Sequence, residues 1–483
     1  MGFFDLMKGR PSNMPPLQFH NTLSNATEIF TPLSFLQIKM YTCGPTAYDR
    51  QHIGNLFPAV VADVLHRTLV RWGYTVKQVT NITDFGHLSE DEASEDKMTK
   101  GLKREGLEPS LANMRALAEK YTALFLEDLP LLGINPKYIL FPRASDYILD
   151  QVALVKTLEQ KGYAYRTSDG IYFDVAKFTN YGKLGNIDLA GLKEGARVEG
   201  NAEKHGPHDF ALWKFDGKLG WPSPWGQGFP GWHIECTAMI FKLLGKQIDI
   251  HMGGVDLIPT HHNNEIAQAE AATGKQFSRH WIHNAHITIE GKKISKSLGN
   301  TVYLHNLTDR GLHPRALRYW FLTGTYRTPM NFTWEAIEGA NTALMRLQRF
   351  FFEELANVPR APAQEAFLTE FHARIANDLD TPRALALLWE LVRDPNIPPA
   401  VKRASLFEAD KILGLGFSET HAKTTLRVTA QSDLPEDVAG FVAEREKARE
   451  AKDFARADAL RAQIEEKGFD VKYTPSGPQI TKR

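Results

Sequence analysis

The sequence is poor in three features that would each define a class of protein. It has two cysteines among 483 residues, so it has no disulfide framework, and this scarcity fits a reducing compartment. It has no excess of charge, since 57 Lys and Arg residues balance 57 Asp and Glu residues, which argues against a protein that coats nucleic acid without specificity. It lacks an apolar run close to the roughly 20 residues that a membrane-spanning helix needs. We therefore predict a soluble, cytoplasmic protein without membrane contact.

The sequence does contain enough apolar material for several cores. A hydrophobic share of 43% in a chain of 54.4 kDa predicts two to four domains. Residues 36–41 predict a strand, residues 55–73 a helix and residues 74–84 a second strand. This βαβ unit indicates an α/β fold with a parallel sheet whose ligands bind at the carboxyl ends of the strands. Cys43 and Asp84 are expected at that edge.

The segment His52-Ile53-Gly54-Asn55 stands at the predicted strand-to-helix turn. His52 and Asn55 share a face at helical spacing, so both can point at a phosphate group near the positive end of the helix. Gly54 leaves room for a flat ring to approach the backbone. Taken alone, this tetrapeptide is more simply an ordinary turn.

A second cationic motif, Lys-Lys-Ile-Ser-Lys-Ser-Leu-Gly-Asn, occupies residues 292–300. Lys293 and Lys296, separated by small residues, can close over a polyphosphate and meet charge that develops in a transition state. Taken alone, the segment is more simply a solvated basic loop. The ordered pair of motifs, however, resembles the HIGH and KMSKS signatures of class I aminoacyl-tRNA synthetases.

Four further residues offer a set of metal ligands. His261 and Glu265 are four apart in a predicted helix, so both project from one face and can hold one ion. Adding Cys43 and Cys236 gives a thiolate-rich set that suits zinc. The simpler alternatives are a buried small apolar residue for each cysteine and a surface pair for His261 and Glu265.

Six sequence blocks in register make the resemblance more specific. They resemble the cysteinyl-tRNA synthetase family, in the same order and over nearly the whole chain: YTCGPTAYDRQHIGN, TNITD, DFALWK, PGWHIECTAM, GGVDL with HHNNEIAQAEA, and KISKSLGN. The resemblance implies one Zn²⁺ per chain, held by Cys43, Cys236, His261 and Glu265, which binds the thiolate of substrate L-cysteine. Zinc prefers a thiolate to a neutral hydroxyl, so serine is rejected at the binding step.

The same resemblance implies roles for the other motif residues. His52 and Asn55 match the two histidine positions of HIGH, with Gly54 beneath the adenine of ATP. Lys293 and Lys296 match the KMSKS lysines, and Lys296 contacts ATP, which is accompanied by Mg²⁺. Three residues match the edge of the amino-acid pocket: Thr83, Asp84 and Trp232.

The resemblance also implies a division of the chain. A Rossmann-like catalytic domain would be followed by all-α C-terminal domains. The predicted segments are a tail (1–18), the first half of the catalytic domain (19–135), an inserted connective segment (136–225), the second half with the KMSKS-like loop (226–310), a stem-contact-like helical region (311–357), a helical bundle (358–420) and an anticodon-binding-like module (430–483).

The C-terminal module carries two open interpretations. Its cations can face a phosphate backbone, or they can pair with the acidic residues between them on an exposed helix. These cations are Arg445, Arg449, Lys452, Arg456 and Arg461.

The predicted activity is that of a monomeric cysteine–tRNA ligase, with cysteine tRNA, L-cysteine and ATP as partners. Cysteine would attack the α-phosphate of ATP, and the cysteinyl group would then pass to the 3′ end of the tRNA. Two alternatives are weighed against it. One is a related ligase that joins cysteine to a small sugar amine and lacks the anticodon-binding end. The other is a noncatalytic tRNA-binding paralogue, which should have lost ligands or lysines.

Overall fold

The computed structural model describes residues 14–34, 37–86, 96–187, 201–295, 299–417, 434–451, 453–474 and 477–482. The elements of the first half are β1 (Gln18–Asn21), β2 (Ala26–Ile29), β3 (Gln37–Thr42), α1 (Ile53–Arg71), β4 (Thr75–Thr80), α2 (Lys97–Arg104), α3 (Leu111–Leu131), β5 (Ile139–Leu140), α4 (Ile148–Gln160), β6 (Ala164–Arg166), β7 (Gly170–Phe173), β8 (Phe210–Phe215) and β9 (Gly228–Pro230).

The second half is richer in helix. Its elements are α5 (Trp232–Leu243), β10 (Ile248–Gly254), α6 (Asn263–Thr273), β11 (Ser278–Asn284), β12 (Ile287–Ile289), β13 (Lys292–Lys293), α7 (Leu304–Asp309), α8 (Arg315–Leu322), β14 (Met330–Phe332), α9 (Trp334–Arg349), α10 (Glu365–Ala376), α11 (Thr381–Arg393), α12 (Pro399–Leu413), α13 (Glu436–Glu450), α14 (Phe454–Glu466), β15 (Phe469–Thr474) and β16 (Gly477–Lys482).

A five-stranded parallel sheet in the order β11-β10-β3-β4-β5 confirms the α/β class. From β3 the chain proceeds outward through β4 and β5, and it returns to the other side of β3 for β10 and β11. The carboxyl ends of β3 and β10 therefore flank the crevice where the strand order reverses, which is where open α/β sheets bind ligands. The Cys43 amide donates to the Met252 carbonyl at 3.0 Å and so fixes the chain at this crevice.

The predicted insertion contains a four-stranded antiparallel sheet, β6-β7-β8-β9. Two strands lie differently from the predicted division at 136–225. Strand β5 lies within these bounds but pairs with β4 in the parallel sheet of the catalytic domain. Strand β9 begins after residue 225 but pairs with β8 in the sheet of the insertion. Helix α5 begins at Trp232, directly after that strand, so the insertion leads straight into the element that carries Cys236.

Helix α1 connects β3 to β4 and lies in the core. Among the described residues, this helix is long and apolar enough to cross a membrane by length and composition alone. The sequence was expected to contain no apolar run of that length. However, 61% of its apolar window is buried inside the protein. Its Phe57 ring packs on Phe321 of α8 with centroids 4.9 Å apart. Burial in the core accounts for the apolar character of this helix.

The C-terminal third is helical, as the sequence predicts, with one addition. Helices α13 and α14 are followed by an antiparallel hairpin, β15-β16, whereas the prediction for this part of the chain was all helical. These four elements share a core of their own, formed by Leu434, Val438, Val442, Ile464, Phe469, Val471 and Ile480.

Candidate active site and metal centre

The two sequence motifs, residues 52–55 and residues 292–300, meet in space at Gly54. Strand β3 leads to His52, whose extended backbone (φ −80°, ψ 168°) ends where α1 begins at Ile53. A Cβ on Gly54 would lie 2.9 Å from Cδ1 of Ile294 and 3.1 Å from the His52 ring. A side chain at position 54 would therefore have to displace the tip of Ile294 and press on the His52 ring, and glycine avoids both contacts.

The predicted pair His52 and Asn55 occupies the first turn of α1. The Asn55 amide nitrogen donates to the His52 carbonyl at 2.9 Å, and the Asn55 side chain donates to Gln51 at 2.6 Å. Asn55 is exposed and His52 is half-buried. Since the N-terminus of a helix attracts anions, this turn offers a place for phosphate.

A β-turn presents the second motif beside α1. Glu290 and Gly291 both have positive φ (49° and 73°), the pattern of a tight hairpin turn, and they join β12 to β13, where Lys293 is exposed. Asn300 closes the loop base, because its side chain donates to the Lys293 carbonyl at 3.0 Å and accepts from the Ser295 amide at 2.9 Å. Lys296 lies outside the described residues, so its predicted contact with ATP stays a prediction.

The four predicted metal ligands converge at the crevice between β3 and β10. One ligand atom from each of Cys43, Cys236, His261 and Glu265 lies within 4.8 Å of the others. Nε2 of His261 is 2.9 Å from Oε1 of Glu265, and Sγ of Cys43 is 3.9 Å from the same oxygen. In a tetrahedral zinc site, ligand atoms about 2.0–2.3 Å from the ion are themselves about 3.3–3.8 Å apart. The two distances given, 2.9 and 3.9 Å, lie on either side of that range, and two sulfurs, one imidazole and one carboxylate are the donor types that zinc prefers.

Local structure explains how one helix face supplies two of these ligands. Residues Ile258–His262 form a π-helical turn that runs directly into α6. His261 belongs to the π turn and Glu265 to the first turn of α6, and both are buried. Single π-helical turns often mark functional sites, because they re-aim side chains without breaking the helix.

Buried histidines orient the predicted ligands from behind. Nδ1 of His233 lies 2.9 Å from Nδ1 of His261, which leaves Nε2 of His261 facing the ligand cluster. Nε2 of His251 lies 2.8 Å from Oε2 of Glu265, which leaves Oε1 facing inward. Outer partners of this kind fix the tautomer and direction of metal ligands.

A second, overlapping set of metal-capable groups shares two members with the first. It consists of Cys43, His251, His262 and Glu265. His262 is also part of a line of contacts: its Nε2 is 3.3 Å from Sγ of Cys43, and its Nδ1 is 2.7 Å from Nε2 of His283. Since the first set has two thiols, it matches the ligand preference of zinc better.

The charge balance of the cluster also suits a cation. Burial raises the pKa of Glu265, but His251 and His261 outweigh it and hold that pKa at about 2. Burial lowers the pKa of His261, yet Glu265 raises it to about 10. Burial also raises the pKa of Cys43, while hydrogen bonds with Cys236 and His261 lower it to about 7. Burial and then Cys43 raise the pKa of Cys236 well above its usual value. Protons on His261 and Cys236 thus hold positions that a divalent cation can take over.

The predicted edge of the amino-acid pocket divides into one exposed and two buried side chains. Trp232 is 38% exposed, its ring centroid lies 4.6 Å from that of His261, and Nζ of Lys97 lies 5.9 Å from it. Asp84 is buried, and its carboxylate accepts from the Ser145 amide at 2.9 Å and from its hydroxyl at 2.5 Å. Thr83 is also buried, and its hydroxyl donates to Oε1 of Glu235 at 2.5 Å.

The orienting histidines were not predicted from the sequence. The signal that could have found them is the repeated histidine on buried strands, His251 in β10 and His283 in β11, with His262 beside a predicted ligand. Buried histidines are uncommon enough that several near one cluster indicate a shared role.

Comparisons with known proteins identify the class and family of the chain. The family model described as the class I (C) tRNA synthetase catalytic domain matches residues 29–342, about two thirds of the chain. The model of the cysteinyl-tRNA ligase anticodon binding domain matches residues 431–480. Among solved structures, a Mycobacterium tuberculosis methionyl-tRNA synthetase in complex with methionyl-adenylate shares the fold, with a TM-score of 0.54, 15% identity, and coverage of 79% of this chain and 90% of that one. A parallel sheet with paired motifs at its switch point and this family match define a class I aminoacyl-tRNA synthetase.

Curated relatives narrow the class to one family. Cysteine–tRNA ligase 1 of Burkholderia lata is 44% identical over 473 residues, which cover 96% of this chain and 97% of the relative. Cysteine–tRNA ligase of Thermus thermophilus is 40% identical over 481 residues, which cover 96% and 98%. The chain belongs to the cysteine–tRNA ligase family, as the resemblance predicted.

Proposed function

We propose that this chain activates L-cysteine with ATP and transfers the cysteinyl group to the 3′ end of cysteine tRNA. The proposal is supported by a cluster of four metal-capable groups, two of them thiols, one of which lies on the same connection as the start of α1, where a phosphate group would bind. Cys43 and His52 stand at the two ends of one connection from β3 to α1, so they keep the thiol end and the carboxylate end of a small amino acid at a set distance.

The residues of this chain contribute mainly binding and positioning. The start of α1, with His52, Gly54 and Asn55, would receive ATP, and Lys293 and Lys296 would neutralise charge that develops on the transferred phosphates. The nucleophile is the carboxylate of cysteine, which attacks the α-phosphate as pyrophosphate leaves, so no side-chain nucleophile is required. Mg²⁺ would accompany ATP as part of that substrate.

The predicted zinc fits the residues that are present. Cys43, Cys236, His261 and Glu265 would hold it, and when bound it would supply a Lewis acid that keeps the thiol of cysteine ionised and excludes serine. Trp232 would then lie against the substrate at the exposed side of His261. Thr83 and Asp84 would act from behind the pocket, since both are buried.

The two alternative functions find less support. A ligase for a small sugar amine would lack the anticodon-binding end, yet residues 431–480 match that domain. A noncatalytic paralogue should have lost ligands, yet all four converge within 4.8 Å. The monomeric state and the cytoplasmic location stay predictions from the sequence.

Charging of cysteine tRNA tests the proposal directly. We expect the purified protein to esterify cysteine tRNA with cysteine in an ATP-dependent manner, and to give no detectable product with serine. Transfer to a sugar amine without transfer to tRNA would favour the first alternative, and tRNA binding without charging would favour the second.

The zinc content of the protein tests the ligand assignment separately. We expect about one zinc per chain, measured by atomic emission, and a large loss of it in Cys236→Ser, since a hydroxyl is a poor zinc ligand. Lys242→Ser, an exposed change on the same helix, serves as the control and should retain zinc. Retention of zinc in Cys236→Ser would refute the four-ligand assignment.

A further inference from the structure

A line of buried hydrogen bonds runs from the loop after β3 to helix α5. The Gly44 amide donates to Oδ1 of Asn81 at 2.7 Å. Nδ2 of Asn81 donates to the Thr83 hydroxyl at 3.3 Å, and that hydroxyl donates to Oε1 of Glu235 at 2.5 Å. Asn81, Thr83 and Glu235 are at most 2% exposed. Every donor in this line points the same way, so each bond polarises and strengthens the next.

The two ends of this line are the chain neighbours of the two predicted thiol ligands. Gly44 follows Cys43, and Glu235 precedes Cys236. The thiols come from opposite sides of the insertion, so local sequence does not set their separation. The line joins the two halves of the crevice within one residue of each sulfur.

The contact at Gly44 is too close for any other residue. A Cβ there would lie 1.8 Å from the Asn81 carbonyl oxygen, so the loop after β3 lies flat on the residue that follows β4. Backbone bonds add to this contact: the Thr83 amide donates to Pro45 at 3.1 Å, and the Ala47 amide donates to Thr83 at 2.9 Å. The Cys43 end of the line is therefore held rigidly, and the bond from Thr83 to Glu235 carries that placement to α5.

We propose that Asn81, Thr83 and Glu235 form a bridge that positions Cys43 and Cys236 for metal binding, so that Thr83 acts on the metal site rather than on substrate directly. This inference rests on the proposed zinc site. Metal ligands must be placed within about 0.2 Å, and loss of a group bonded directly to a ligand typically weakens metal binding about 10–100-fold. The bridge acts through the chain neighbours of the ligands, so we expect the lower end of that range. The bridge therefore sets metal affinity through geometry.

The test is the zinc affinity of Thr83→Val, which keeps the shape of the side chain and removes the hydroxyl. We expect its affinity, measured by competition with a chromophoric zinc chelator, to fall at least about tenfold. Thr83→Ser restores the hydroxyl and should stay within about threefold of the unaltered protein.

Ser145→Ala is the matched control. It removes a hydroxyl-to-carboxylate bond of the same 2.5 Å length at the adjacent residue, Asp84, outside the bridge. We expect its zinc affinity to be unchanged. A loss of thermal stability in Thr83→Val with normal zinc affinity would show a merely structural role and overturn the inference.

Two further outcomes keep the test decisive. If Thr83→Val does not fold, Glu235→Gln replaces it, because the amide keeps the shape of the side chain but is a weaker acceptor for the Thr83 hydroxyl. An affinity loss of at least about threefold in that variant would support the bridge, and an unchanged affinity would overturn it. If the unaltered protein itself binds no zinc, the proposed metal site fails, which is distinct from failure of the bridge.

Discussion

At the scale of single residues, the protein buries ionisable groups in two different ways. Around the predicted metal site, Glu265 and His261 are buried as partners of opposite charge, and their pKa values move apart to about 2 and about 10. Elsewhere, His372 of α10 is buried beside the ring of Trp72, with centroids 5.5 Å apart. The first arrangement stabilises the charged forms of Glu265 and His261, and the second destabilises the charged form of His372.

The burial of His372 predicts a loss of stability in acid. Burial and then Arg71 lower its pKa to about 4, while Glu408 opposes them weakly. The unfolded chain, with a pKa near 6.5, binds the proton first, so this contribution is intact above pH 6.5 and is lost as the pH falls toward 4. At pH 5 the loss in the free energy of unfolding amounts to about 1–2 kcal/mol.

Denaturant unfolding of His372→Phe at several pH values checks this. The variant keeps a ring beside Trp72 but cannot titrate, so its free energy of unfolding should fall less between pH 6.5 and pH 4 than that of the unaltered protein. Parallel curves for the two proteins would show that His372 does not titrate differently on unfolding.

Single residues also show what the sequence can and cannot reveal. The helical spacing of His261 and Glu265 allowed a shared ion, and the family resemblance added Cys43 and Cys236 as ligands. Residue types and spacing alone also allowed buried thiols and a surface pair. His251 and His283 gave only the signal of repeated histidines on buried strands. Their partners, like that of His233 on α5, depend on which elements are neighbours, and no local spacing encodes that. Thr83 was expected at the pocket, but its hydroxyl bonds to Glu235, a partner from the far side of the insertion.

At the scale of elements, α1 joins the catalytic sheet to the C-terminal helices through a buried cation. Nη2 of Arg318 in α8 lies 2.7 Å from Oδ2 of Asp63 in α1. Its other nitrogens donate to the Leu413 carbonyl at 2.6 Å and the Leu132 carbonyl at 3.2 Å. Arg318 is fully buried, so these bonds connect the ends of α3 and α12 with α1 and α8.

We predict that Arg318→Leu lowers the free energy of unfolding by about 3–5 kcal/mol. The substitution removes the donor from two buried carbonyls and removes one of the cations that pair with buried Asp63. Breaking a buried ion pair typically lowers stability by about 3–5 kcal/mol. Arg67 still contacts Asp63 at 2.7 Å, so the lower end of the range is expected.

Arg71→Leu is the matched control in chemical denaturation. Arg71 pairs with Glu408 at 3.8 Å between the same helices, α1 and α12, but both side chains are about a quarter exposed. Such a pair is worth about 0–1 kcal/mol. Equal losses in the two variants would show that Arg318 has no special part in joining the elements.

The elements themselves were predictable to different degrees. The β3-α1-β4 unit follows from turn residues and helical spacing, and the structure confirms it. The π-helical turn at Ile258–His262 could not be predicted, because it differs from an α-helix only in hydrogen-bond register. Strand β5 has two residues, too few for any periodic signal.

At the scale of the whole molecule, the described residues form separate cores. The main core extends from Leu17 to Phe417, and α13, α14, β15 and β16 share another. The cations predicted for a phosphate backbone partly pair with acidic neighbours: Arg456 lies 3.3 Å from Glu444, and Arg461 lies 2.9 Å from Glu465. Both arginines are exposed, so a polyanion can displace the carboxylates at little cost.

Removal of the C-terminal module should therefore separate the two steps of the proposed reaction. A chain that ends at residue 417 keeps the main core, the predicted metal ligands and the motifs at residues 52–55 and 292–300. We expect its cysteine-dependent exchange of pyrophosphate into ATP to stay within about threefold of the full chain, a change below 1 kcal/mol. Charging of cysteine tRNA should fall at least about tenfold, the effect of about 1.4 kcal/mol of lost tRNA binding.

Retained zinc content and an unchanged melting temperature of the main transition are the controls for folding. Equal loss of exchange and charging would mean that the module supports the catalytic domain itself, and undiminished charging would remove it from tRNA recognition.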